Sequence, residues 1–304
     1  MLPEGRGFDN YFDADKKSDS KRNSSENLED ANARAIWSLA VAASMDSASR
    51  GASKIVRNSP MARFIMEKAR EMLSKQRALI LERSIRSPRA IAFTIKALSL
   101  WLMINPNDEK PKARIIELAE NLADLYRRTR NGEWHWFEEN LTYSNALLPE
   151  AMLLAFKATG NTEYKYIGIE SLDFLIKYSF DGDMCVPVGQ KGWFKLGMQK
   201  PLYDQQPEEV SALVLALQTA SEIVGGPSDL DHADPVGAYE PRSRDFYLLK
   251  KEQAFDWFLG NNILGQVVYS EMSGGCYDGL GEGYINLNQG AESTTVYLLA
   301  RAMM

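Results

Sequence analysis

Helix-start signals recur along this chain at an almost fixed interval, at Glu29, Ser87, Asn145, Asp204 and Asn288, in steps of 58, 58, 59 and 84 residues. Two helices and two loops fill a 58-residue step, so the repeating unit is a helical hairpin. Stacked hairpins form a solenoid or close into a toroid. Between the starts, apolar residues return at i, i+3/4 and i+7, the period of a helix with one buried face. The period runs through Ile36/Trp37, Ile65/Met66, Ile91/Ile95, Ile115/Ala119, Leu148/Met152, Ile167/Phe174, Val210/Leu213, Phe246/Leu249 and Leu298/Ala302, which predicts nine helices. Strand-like alternation is scarce, Gln266 to Tyr269 being the best short stretch, so the expected class is all-α. Two turn-rich insertions, Gly225 to Arg242 and Gly260 to Leu287, account for the long last step. Residues 1–28 are rich in Asp, Lys, Ser and Asn and read as a polar N-terminal arm or loop, leaving 29–304 as one α/α domain.

Charge and motif content exclude several function classes. A formal net charge of −6, with Lys and Arg scattered among acids, opposes a phosphate-tracking surface, so no nucleic-acid partner is expected. No stretch approaches the roughly 20 apolar residues of a membrane span, and the first residues carry no apolar leader core. Cys185 and Cys276 are too few for a disulfide framework, which points to a reducing, cytoplasmic setting. There is no P-loop, GxSxG or HExxH, and the Gly-rich run Ser273 to Gly283 follows no strand, so it is no dinucleotide fingerprint. His135 and His232 are too few for a zinc site. Asp229, Asp231 and Asp234 read as a solvated turn rather than a calcium loop. No metal and no cofactor are expected.

Four of the five starts carry more carboxylates and amides than a cap needs: Glu29-Asp30-Ala31-Asn32, Tyr143-Ser144-Asn145, Tyr203-Asp204-Gln205-Gln206 and Asn286-Leu287-Asn288-Gln289. Glu209 and Glu292 follow in the first turns. Capping of orphan N–H groups explains one such residue per helix. Three or four, brought to one end by a toroid, would line a concave site. Such a site suits sugars, whose hydroxyls need groups that donate and accept and whose CH faces stack on aromatic rings. The segment Glu133-Trp134-His135-Trp136-Phe137-Glu138-Glu139 reads either as a ligand-contacting rim or as a loop pinned by buried rings.

The segments LEDANARAIWSLA (28–40), WFEENLTYSNALLPEAML (136–153), YDQQPEEVSALV (203–214), AFDWFLGNN (254–262) and NQGAESTTVYLLA (288–300) carry a family resemblance. Together they resemble a bacterial family of six-hairpin, (α/α)₆-toroid, glycosidase-like proteins found beside, or fused to, family-4-type glycosyltransferases and mannoside phosphorylases. The resemblance covers most of 28–304. Its motif positions fall here on Glu29, Asp30, Asn32 and Arg34; on Trp136, Phe137, Glu138, Tyr143 and Asn145; on Asp204, Gln205 and Glu209; and on Asp278, Asn288, Gln289 and Glu292. Relatives carry an upstream hairpin with its own Asp-Asp-Asn-Ala-Arg start that this chain lacks, which implies a toroid incomplete at its N-terminus.

Three functions stay open on this basis. The leading one is a glycoside hydrolase-like enzyme acting on an oligosaccharide. Glu138 would be its acid, beside Trp136 and Phe137 where burial favours a protonated carboxyl; Asp204 or Glu209 would be its base, where a helix N-terminus favours the anion. Asp30, Arg34, Asn145, Asn288, Gln289 and Glu292 would hold the sugar. The others are a sugar epimerase or isomerase, for which His135 is the one well-placed histidine, and a non-catalytic glycan-binding or scaffold partner of a glycosyltransferase. A missing hairpin further implies exposed apolar helix faces and hence self-association or a protein partner.

Overall fold

A computed structural model describes residues 7–45, 59–225 and 242–304, and the chain is all-α. Asp229, Asp231, His232 and Asp234 lie outside the described residues. All nine periodic segments are helices: α2 (Glu29–Ala43), α3 (Pro60–Lys75), α5 (Pro88–Ile104), α6 (Glu109–Thr129), α7 (Leu147–Thr159), α8 (Thr162–Ser179), α9 (Pro207–Ile223), α10 (Arg244–Asp256) and α11 (Ala291–Arg301). Two short helices join them, α1 (Ser20–Ser25) within the polar N-terminal segment and α4 (Arg77–Glu82). Among the described residues strand is confined to three two-stranded antiparallel ribbons: β1 (Asn140–Leu141) with β4 (Phe194–Lys195), β2 (Phe180–Asp181) with β3 (Met184–Cys185), and β5 (Gly279–Gly281) with β6 (Tyr284–Asn286). Gln266 to Tyr269 forms no strand; only Tyr269 makes a bridge, to Cys276. Among the described residues no helix is long and apolar enough to cross a membrane.

The chain divides into two compact units, residues 1–122 with 154–161 and residues 123–153 with 162–304. In the first, α2 packs on α3, its hairpin partner, and on α5, the next alternate helix. Ile36, Ala40, Ile91, Ile95 and Leu98 form the apolar seam. Trp37 lies 5.4 Å from Phe93 at its edge, with the Lys96 ammonium 4.5 Å above the indole. Asn32 is buried and ties the N-terminal segment to α2: its Oδ1 accepts from Phe8 N at 2.6 Å, and its Nδ2 donates to the carbonyls of Phe8 and Leu28.

The second unit repeats this logic, with α9 packed on α10 and on α11. Val210, Leu213, Val214 and Leu217 are buried, as are Phe255, Trp257 and Phe258 at the end of α10. In the hairpin of α7 and α8 a glycine sets the spacing. A methyl group on Gly168 would come within 2.8 Å of Leu153 and 3.1 Å of the Pro149 carbonyl oxygen. Overpacking costs about 1–3 kcal/mol, whereas replacing a helical glycine gains less than about 1 kcal/mol. Gly168→Val is therefore expected to lower the free energy of unfolding by about 1–3 kcal/mol in urea titration; a neutral or stabilised variant would show that α7 and α8 do not pack this closely.

Candidate functional site

In the second unit the starts of α7, α9 and α11 are tied to one another more than they are capped. The N-cap positions of α9 and α11, Gln206 and Gly290, make no side-chain cap bond. Instead Glu209, in the first turn of α9, reaches the segment ahead of α7. Its Oε2 accepts from the Asn145 backbone N at 3.3 Å and from Asn145 Nδ2 at 2.8 Å. Asn145 Oδ1 in turn accepts from Thr142 N at 2.9 Å, and Ser144 Oγ donates to Glu208. Gln205 is fully buried and exchanges backbone hydrogen bonds with Leu280 of β5 at 3.1 and 2.9 Å. Its side chain accepts from Trp257 Nε1 and donates to the Leu202 carbonyl. Asp278, just ahead of β5, accepts from Gly290 N, Ser293 Oγ and Asn288 Nδ2, which fixes the start of α11. Three of the four polar clusters are thus linked, and the backbone carries much of the linkage.

Electrostatics separates the carboxyls. Burial pushes Glu209 up to about 8, with repulsion from Glu208 adding to it and the bonds from Asn145 opposing it. The expectation that the helix N-terminus keeps Glu209 ionised fails on magnitude. The helix dipole is worth about 0.3–1 kcal/mol, up to ~2 in partly buried sites, and one pKa unit is about 1.36 kcal/mol. Glu209 is therefore protonated at neutral pH, and its Oε1 is buried with no hydrogen-bond partner. Burial also pushes Asp278 upward, but its three donors outweigh that, and it lies below the ordinary carboxylate value.

The segment from Gly189 to Asp204, which the sequence pattern did not single out, completes this region. Gln190 N donates to the Asp204 carbonyl at 3.1 Å, and Gln190 Nε2 donates to the Thr142 carbonyl at 3.0 Å. Trp193 Nε1 donates to Gln190 Oε1 at 3.3 Å. A side chain at Gly189 would overlap the Tyr203 carbonyl, so only glycine lets these strands of chain approach. Asp204 itself is exposed, in the left-handed backbone region at φ 57°. Tyr143 is 37% and Trp193 45% exposed.

Other expected site residues sit differently. Trp136 and Phe137 are fully buried, Trp136 stacking on Phe174 at 6.0 Å, so neither offers a face to a ligand. The loop is pinned by its rings: Trp134 Nε1 donates to the Glu138 carbonyl at 2.7 Å, and Thr129 Oγ1 to that of Phe137. Glu138 is half-buried beside this loop. Gln289 accepts from Ser273 Oγ, while Asn288, Gln289 and Glu292 are all exposed. In the first unit, Glu29 Oε2 accepts from Arg86 N and Ser87 N at 2.9 and 2.7 Å, and Asp30 accepts from Ser87 Oγ at 2.6 Å. Glu29 and Asn32 line a water-sized cavity of about 20 Å³. The Arg34 guanidinium lies 4.6 Å above the Phe93 ring. A separate cluster joins Glu170 to Tyr126, Tyr166, Arg130 and, at 2.8 Å, His135 Nδ1. Among the described residues no group of three His, Cys, Asp or Glu could hold a metal ion.

No family model matches the chain, and no curated protein matches it. Among solved structures it is similar to one described as the crystal structure of a sugar epimerase from a ruminal bacterium, with a TM-score of 0.57 and 12% identity over 99% of this chain and 79% of that chain. The likeness is one of fold.

Glu209 makes folding pH-dependent with a definite sign. Its folded value of about 8 lies above its ordinary value of 4.5, so between them the unfolded chain gives up a proton that the folded chain keeps. The contribution to stability is full below pH 4.5 and is lost as pH rises toward 8. Glu209→Gln keeps an acceptor for Asn145 and removes the titration. Its melting temperature should fall less than that of the native chain across this window; parallel curves would place the Glu209 carboxyl in water.

Proposed function

We propose that the chain is a carbohydrate-processing enzyme of the acid–base type, with Glu209 as proton donor. The observation that carries this reading is the Glu208–Glu209 pair at the start of α9, one carboxyl held protonated near neutral pH with an unpartnered oxygen. A catalytic acid needs that state at the operating pH. The motif resemblance to six-hairpin glycosidase-like proteins supports a glycosidic substrate. In this reading the Ser144–Asn145 segment that covers the buried Glu209 moves aside as substrate binds, and Glu209 then gives its proton to the glycosidic oxygen as the bond to the anomeric carbon breaks. Asp204 takes a proton from the water that attacks that carbon. Glu138, half-buried in the loop before β1, is the alternative second carboxyl, and Asn145, Asn288 and Glu292 supply hydroxyl contacts.

Epimerisation is the second reading, favoured by the fold likeness to a structure described as a sugar epimerase and by the His135–Glu170 pair at 2.8 Å, an imidazole beside a carboxylate. The two reactions leave different marks. Hydrolysis of an oligosaccharide releases new reducing ends and puts no deuterium on carbon in D₂O, whereas epimerisation through proton abstraction puts solvent deuterium on a sugar carbon and releases none. Glu209→Gln is expected to lower turnover by about 10² or more while substrate binding is retained. Binding with neither product would make the chain a glycan-binding module, and undiminished turnover in Glu209→Gln would remove Glu209 from the chemistry.

A further inference from the structure

We propose that Trp193 is a preset stacking platform for a hexopyranose ring, with Gln190 as the residue that positions it. This rests on the carbohydrate reading and adds to it a ligand-binding residue that lies outside the motifs carrying the resemblance. Of the six tryptophans, Trp134, Trp136 and Trp257 are buried and Trp193 alone is exposed, at 45%. An indole left in water and yet held in one place suits an amphipathic ligand. Its Nε1 bonds Gln190 Oε1, and the next residue, Phe194, is buried against Trp134 and Tyr178 at ring distances of 5.6 and 4.9 Å. Holding the ring in advance lowers the entropy that a ligand must overcome.

Backbone conformation marks the same place. Four non-glycine residues adopt positive φ among the described residues, and three of them are Ser144 (47°), Trp193 (47°) and Asp204 (57°). Such conformations persist where the surroundings over-determine them, and they concentrate at functional sites. Gln190 bonds all three segments: Thr142, two residues before Ser144, through Nε2; Asp204 through its backbone N; and Trp193 through Oε1. Ser144 bonds Glu208, and Asn145 bonds Glu209. Three hydrogen bonds, Trp193 to Gln190, Gln190 to Thr142 and Ser144 to Glu208, with the chain from Thr142 to Ser144 between the last two, therefore connect the exposed indole to the paired carboxyls. Tyr143, also exposed, lies on the segment between them. Flat aromatic faces take the CH face of a pyranose ring.

The test measures binding of cellotetraose, mannotetraose and maltotetraose by calorimetry to Glu209→Gln, alone and combined with Trp193→Ala, Trp193→Phe or Gln190→Ala. Each variant is first checked by circular dichroism and melting. The tetrasaccharide that binds is expected to lose about tenfold in affinity with Trp193→Ala. Trp193→Phe keeps a ring and should lose less; Gln190→Ala keeps the indole but frees it and should fall between. Unchanged affinity in a folded Trp193→Ala overturns the platform and leaves the carbohydrate reading standing, and if that variant fails to fold, Trp193→Phe decides in its place. Absence of binding to all three sugars overturns both. A fall in molecular mass by light scattering on Trp193→Ala, with sugar affinity unchanged, overturns the platform in favour of a protein interface.

Discussion

A first-turn carboxyl of one alternate helix that accepts hydrogen bonds from backbone ahead of the neighbouring alternate helix is the contact on which the candidate site depends. Glu209 does this toward Asn145, and Glu29 does it toward Arg86 and Ser87 in the other unit. Helix starts present unpaired N–H groups, and each must find an acceptor. A cap within the same helix satisfies them locally but leaves adjacent helices free to slide. An acceptor on the neighbour that bonds the backbone just ahead of the helix fixes the relative height of two starts, as Glu29 does at Arg86 and Ser87 and Glu209 at Asn145. Within each unit the step of 58 or 59 residues is the covalent side of this arrangement, because one hairpin brings the chain from 29 to 87 and from 145 to 204.

The two instances differ in environment, and the difference separates scaffold from chemistry. Glu29 meets two backbone donors and the rim of a water-sized cavity. Glu209 has both its Asn145 donors on one oxygen and nothing on the other, and it lies beside a second carboxyl. A buried carboxyl in that position is less costly to protonate than to ionise. The same packing that locks α7 against α9 therefore stores a proton at the lock. Asp278 shows the opposite outcome: three donors converge on it, so burial does not win.

Helices and repeat were legible in the sequence because a 3.6-residue period over a dozen positions outweighs any local ambiguity. Helix boundaries were less so: α7 begins at Leu147 and α9 at Pro207, two and three residues beyond the expected starts. Asn145 and Asp204 look like N-caps but stand in the turns before the helices, where a left-handed Ser144 and Asp204 redirect the chain. The sequence left both readings of the Trp136 segment open, because a ring beside an acid has one signature whether it faces a ligand or a core. Burial is set by Phe174 and Phe137, the former distant in sequence. Gln190 and Trp193 left no periodic signal at all. The usable hint was glycine: Gly189 precedes Gln190 and Gly192 precedes Trp193, and Gly189 is required by the close approach of Tyr203.

Glycine also explains the run from Ser273 to Gly283 without any nucleotide. Gly279 adopts φ 148° and leaves no room for a side chain against the Gln205 carbonyl, with which Leu280 exchanges its backbone bonds. A residue with a side chain there would push β5 off Gln205. Gln205 would then lose the bridge that aligns its amide with Trp257, and the turn holding Asp204 would lose its anchor. The loops thus do for the spaces between helices what Glu209 does for the helix starts: they carry buried backbone partners, and in satisfying those partners they fix the direction of the exposed groups. Asp204 and Trp193 are presented to solvent because Gln205, Phe194 and Gln190 beside them are not free to move. Polar side chains at helix starts become a site only when the segments between helices are held this firmly, since a carboxyl misplaced by about 1 Å can cost about 10² in rate.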